Sequence, residues 1–191
     1  MQRLIPLKVP WQVSPSTPFL RLFAGELSST HPTQVVFVAH FGLREGRSDQ
    51  QKLGFFDAEC AVDPLRLAIA SEKESRVYSL VRMEFKGGVG CRMSPAFSDR
   101  EVLNAKEFDP SLVPYSNGIT NIGGWLSDFQ SLWLKSGNCP DPCVYTIESS
   151  DWLQTIGLEG LEHFVIKGHD AYIEVLARNW KWEEIDKLPG L

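Results

Sequence analysis

The chain has 191 residues, 43% of them hydrophobic and 23% charged, with a formal net charge of −5. That balance excludes a disordered polymer and is enough for one sizeable core. Residues 1–95 hold 12 Lys and Arg against 9 Asp and Glu, whereas residues 96–191 hold 7 against 15, so this acidic protein is not expected to bind nucleic acid through phosphate contacts.

No apolar run approaches the ~20 residues that span a bilayer, and no membrane association is expected. The opening Met1-Gln2-Arg3-Leu4-Ile5-Pro6 lacks the uninterrupted apolar stretch of a signal peptide. Four cysteines are too few for a disulfide scaffold at this length. The expectation is a cytoplasmic protein with reduced thiols.

Pro6, Pro10, Pro15 and Pro18 make residues 1–18 extended with Trp11 as the docking side chain, or else partly loose. Phe19 to Leu27 reads as a strand. Val35 to Ala39 is apolar on both faces, the pattern of a strand covered on two sides. Residues 43–52 are polar, a surface loop. Phe56, Ala58, Cys60 and Val62 alternate with acidic residues as in a half-buried strand.

Asp63-Pro64 suits a helix start, so 64–74 is read as helix in preference to strand. Val77, Val81, Met83 and Phe85 alternate with Arg82, Glu84 and Lys86 in the best-patterned strand of this half. Gly87-Gly88 is read as turning it back into a partner strand through Cys91. Ser98-Asp99-Arg100-Glu101 has capping-box spacing and predicts a short helix ending before Asp109-Pro110.

Trp125, Leu126, Phe129, Leu132 and Trp133 recur at three- and four-residue spacing, predicting a longer amphipathic helix near 124–136 closed by Gly137. Val144 to Glu148 follows as a strand. Ser149 or Ser150 then caps one or two helical turns that carry Trp152, read as a core residue, and stop at Gly157. Residues 161–177 read as a β-hairpin turning at Gly168-His169, with Gly168 at a positive φ. That register pairs Phe164 with Ile173 and His163 with Glu174, and it buries Phe164, Ile166, Ile173 and Val175.

The fold class is α+β, a mainly antiparallel β-sheet with a few short helices and one longer amphipathic helix. Residues 1–191 are read as a single domain; the alternative is a β-rich subdomain over 1–112 and an α+β subdomain over 120–191, joined by a linker within 110–123. No internal repeat or low-complexity tract interrupts the chain.

Cys139-x3-Cys143 followed by His163-x5-His169 superficially resembles zinc-site spacing. Yet a hairpin puts its strand histidine and its tip histidine ~13 Å apart at ~3.3 Å per residue, too far to share an ion ~2.0 Å from each nitrogen. No metal and no cofactor are expected. Cys139-Pro140-Asp141-Pro142-Cys143 reads as a rigid loop with packed or free thiols; a bridge, or catalysis by Cys143, are the alternatives. The Gly87–Gly90 run lacks phosphate-loop spacing and sits between strands, so it is read as a turn. His40 reads as a satisfied strand-end histidine, or else as a buried acid/base.

Two functions from different classes fit. The first is a non-catalytic module binding a protein or small ligand. Trp180 and Trp182 share one face of an extended segment near Arg178 and Lys181, and His163 and Glu174 form a second candidate pair. The competing reading places both indoles over the edge of the core. The second function is a small hydrolase or transferase whose site is assembled from His40, Cys143, His163, Asp170 and Glu174, which requires at least two of them to converge in a pocket.

Overall fold

The computed structural model describes residues 1–25, 32–42, 78–88, 90–114 and 122–185. The readings made for 43–52, 56–62 and 64–74, and for residues 115–121 of the 110–123 linker, lie outside them. Among the described residues there are eleven strands: β1 (Gln2–Pro6), β2 (Gln12–Val13), β3 (Leu20–Phe23), β4 (Thr33–His40), β5 (Tyr78–Lys86), β6 (Gly90–Pro95), β7 (Phe108–Asp109), β8 (Val144–Glu148), β9 (Glu162–Lys167), β10 (Ala171–Ala177) and β11 (Asn179–Ile185). The helices among the described residues are α1 (Ile122–Ser136) and α2 (Asp151–Ile156).

The strands form two sheets. One runs β6-β10-β9-β8-β1-β7; the other runs β11-β5-β4-β2, with β3 also paired to β4. Pairing is antiparallel except between β1 and β7. The architecture is therefore mostly sheet with few helices, as the sequence suggests.

Alternation along the strands explains the packing. Val35, Phe37 and Ala39 of β4, with Val81, Met83 and Phe85 of β5, meet Phe164, Ile166, Ile173 and Val175 of the other sheet in one core. The Phe85 and Phe164 rings, 5.2 Å apart, bridge the two layers. Trp11 is fully buried between Phe37 and Trp182, which docks the proline-rich start as expected. The other face of β4 buries Val36 and Val38 against Phe19 and Leu80, so this strand is covered on both sides.

Three local expectations are corrected. The hairpin turns one residue later, at His169-Asp170, and the Gly168 N–H bonds the Ala171 carbonyl at 2.8 Å. Phe164 consequently faces Val175, and Ile166 faces Ile173. Moving the turn by one residue preserves which face each side chain occupies, so all four apolar residues remain buried. Gly168 is absent from the positive-φ residues. What its place requires is close approach: a Cβ there would lie 3.0 Å from Leu20 Cδ2 and 3.1 Å from the Ala171 carbonyl oxygen.

The Gly87-Gly88 bend does not return β5 to a neighbour. Both sides of β5 are taken, by β4 and β11, so β6 crosses to the other sheet and pairs with β10. Finally, residues 98–107 form turns, not a helix. Ser98 Oγ accepts from the Glu101 N–H at 3.0 Å, a local bond that turns the chain without a helix behind it, and Phe108 is drawn into β7 beside Gln2.

In α1, Phe129 and Trp133 are buried while Leu132 and Leu134 are exposed. Gly137 ends the helix at φ 68, its N–H bonded to the Trp133 carbonyl.

Candidate functional site

The outer face of the six-stranded sheet carries a polar chain of four residues from four elements. Ser150 precedes α2, His163 lies on β9, Glu174 on β10 and Arg92 on β6. In the observed register His163 faces Leu176, and Glu174 sits diagonally from it, within reach on the same face. Glu174 lies directly across from Arg92.

The distances connect all four. Ser150 Oγ is 2.8 Å from His163 Nδ1. His163 Nε2 is 3.1 Å from Glu174 Oε1, although the approach is too oblique for a well-formed hydrogen bond. Arg92 donates through Nε and Nη2 to both carboxylate oxygens, at 2.6 and 2.7 Å, a bidentate charge-assisted pair. His163 and Glu174 are each 1% exposed, whereas the Arg92 side chain is about half exposed at 54%. Trp152 covers the group: the Arg92 guanidinium stacks 4.4 Å from its ring and the His163 imidazole meets it edge-on at 5.4 Å.

Electrostatics and hydrogen-bond inventory fix the roles. Burial opposes charge on Glu174, but the close His163 ring and the bonds from Arg92 outweigh it and hold the carboxyl below its ordinary pKa. Arg92 is pushed up chiefly by its bond to Glu174. The Leu153 N–H takes one lone pair of Ser150 Oγ; the hydroxyl keeps its proton and a second lone pair, so the tautomer of His163 decides which way the Ser150–His163 bond runs. A carboxylate only accepts, so the neutral imidazole carries its proton on Nε2. The chain thus runs hydroxyl, imidazole, carboxylate, guanidinium, and reaches solvent at Arg92 and Trp152.

The other candidates fall elsewhere. Trp180 and Trp182 share a face of β11, as extended geometry requires, and both are half-buried against the inter-sheet core. Lys181, on the opposite face, pairs with Glu84 at 2.8 Å. His40 ends β4 between the rings of Tyr78 and Trp133, 5.0 and 5.7 Å away, and burial lowers its pKa. Asp170 is at the exposed hairpin tip, in contact with His169. His163 and His169 are therefore separated, and among the described residues no group of three or more His, Cys, Asp or Glu is placed to hold a metal.

Cys139 and Cys143 are free and buried. Asp141 organises their loop: its Oδ1 accepts from Tyr145 Oη at 2.7 Å and from the Cys143 N–H at 3.2 Å. Burial pushes the Cys143 thiol up to about 12 and raises Cys139 as well, the opposite of a nucleophilic thiol.

Sequence reading missed Arg92 and treated Trp152 as core, where the structure has it half-buried. The available signal was Glu174 itself. An acidic residue amid Ile173 and Val175 needs a cation across the strand pair, but the strand that carries Arg92 reads from sequence as a partner of β5 and not of β10. No helix among the described residues is long and apolar enough to cross a membrane. No family model, curated protein or solved structure matches this chain.

Proposed function

We propose that this chain is a non-catalytic module that binds a protein or small ligand on the outer face of its six-stranded sheet, through Arg92 and Trp152. The observation that carries the reading is the gradient of exposure along the polar chain. Its acid/base members, His163 and Glu174, are sealed, while the two groups that reach solvent are an arginine and a tryptophan, residue types that dominate binding hot spots. The buried pair acts as the fixture that holds the guanidinium against the indole, and a group already fixed loses little freedom on binding. Trp180 and Trp182, packed inward, contribute to the core that supports this face. The acidic second half favours a protein or uncharged small ligand over nucleic acid, within a single-domain cytoplasmic protein.

The test is a fragment and peptide screen on 15N-labelled protein. Binders shift the Trp152 indole N–H and Arg92 Nε–H resonances, and Arg92→Lys with Trp152→Phe weakens them at least tenfold. Binders that shift only distant residues, or that ignore both substitutions, overturn the reading.

The approach of His163 to Glu174 through one ring nitrogen, and to Ser150 through the other, favours a second reading as a hydrolase or transferase. It requires the imidazole to reach a substrate. Labelling of Ser150 by an activated phosphonate ester supports it, and no labelling at any enzyme concentration counts against it.

A further inference from the structure

The short helix above the polar chain is held unlike the strands beneath it. None of the α2 side chains is buried. The polar and aromatic contacts that tie it down are the Ser150–His163 bond, the Asp151 N–H on Gln2 Oε1 at 3.2 Å, and the Trp152 indole. That indole lies over Arg92 and His163 and packs so near Gly90 that a Cβ there would meet it at 3.0 Å.

Two residues in the left-handed region bracket the segment: Ser149 at φ 60, where a side chain makes that conformation costly, and Gly157 at φ 65. Below lie the sealed His163 and Glu174, and the His163 Nε2 lacks a well-directed partner.

We propose that α2 is a lid that swings on Ser149 and Gly157 and is latched by Ser150 on His163, and that its opening admits solvent to the imidazole while the sheet stays folded. An element tied by a few polar bonds and one indole opens at lower free energy than strands buried on both faces. Closed, Ser150 serves twice, capping α2 through the Leu153 N–H at 3.1 Å and latching it through His163. Cap and latch therefore fail together. This inference is independent of the binding reading, since a rigid α2 would present Arg92 and Trp152 equally well.

Native-state hydrogen exchange of the full chain, run beside acylation of histidines by diethyl pyrocarbonate, tests it. The Gln154 and Gly157 amides, bonded to the Ser150 and Leu153 carbonyls, should exchange at least tenfold faster than the Val165 and Ile173 amides after correction for intrinsic rates. Ser150→Ala should speed both α2 exchange and His163 acylation about tenfold, as loss of a cap implies, with Val165 and Ile173 unchanged. Two results overturn the lid: wild-type α2 amides exchanging no faster than those of Val165 and Ile173, or a Ser150→Ala protein whose α2 loosens with His163 as unreactive as before. The wild-type comparison needs no variant to fold. Loss of ligand shifts at Arg92 with this exchange pattern intact would count against the binding reading alone.

Discussion

Replacing Arg92 with alanine tests the polar chain most directly. The substitution removes the two bonds of 2.6 and 2.7 Å that hold Glu174 and leaves a carboxylate that is 1% exposed facing only His163. Breaking a fully buried ion pair costs about 3–5 kcal/mol. Arg92 is half exposed, so water fills its place and screens the remaining charge, which brings the expected loss to about 2 kcal/mol.

For a chain of this length that corresponds to a fall in melting temperature of about 4–8 °C. The sign of the pH dependence follows from Glu174. Its pKa is held below the ordinary 4.5, so its contribution to wild-type stability is complete above that value and lost as pH falls through the folded pKa. Without Arg92 burial dominates and the carboxyl accepts a proton more readily. The gap between wild type and variant should thus be full well above the variant's raised pKa, begin to close as pH falls through that value, and go on closing down through the lowered wild-type one. Urea unfolding of both proteins across that range measures it. A loss under ~0.5 kcal/mol at pH 7, or a gap that stays constant with pH, refutes the claim that Arg92 neutralises a buried charge.

Three further outcomes are expected. Gly168→Ala should cost about 1–3 kcal/mol by urea unfolding, because the new methyl meets a backbone oxygen at 3.1 Å that is fixed by the ladder; a neutral result would show that the hairpin is not packed so closely against Leu20. Long-range 15N–1H correlation spectra should show neutral His163 protonated at Nε2, and an Nδ1-protonated ring would reverse the hydroxyl-to-carboxylate polarity argued from Ser150 and Glu174. Iodoacetamide on the native protein at pH 8 should spare Cys139 and Cys143, whose thiols stay protonated well above neutrality, and modify them only after unfolding. Rapid native labelling of Cys143 would overturn its assignment as inert.

What could be read from the chain beforehand tracks how local the determining physics is. Alternation assigned β5 and a continuous apolar run assigned β4, because both patterns are written in a few adjacent residues. Ser150 and Gly157 marked α2 for the same reason. The turn position escaped because glycine at 168 answers a tertiary demand, contact with Leu20, which imitates a local preference for positive φ. The pairing of β6 with β10 also escaped: no short-range signal says that β5 already has two neighbours. The candidate site followed the same division. His163 and Glu174 were singled out together because one hairpin carries both, whereas Arg92 lies 82 residues from Glu174 and became visible only through sheet order.

The place of β1 has a kinetic consequence. It is an interior strand of its sheet, between β8 and β7, and the Arg3–Glu148 contact joins residues 145 apart. A chain emerging from its N-terminus must leave this first strand waiting until β8 has followed, with the entropy of a long loop still to be overcome. The late hairpin can assemble from neighbours within microseconds; its sheet cannot be completed until the two distant segments meet. Slow, nonlocal closure of that seam should set the folding rate, and tethering residue 1 near residue 148 should quicken it.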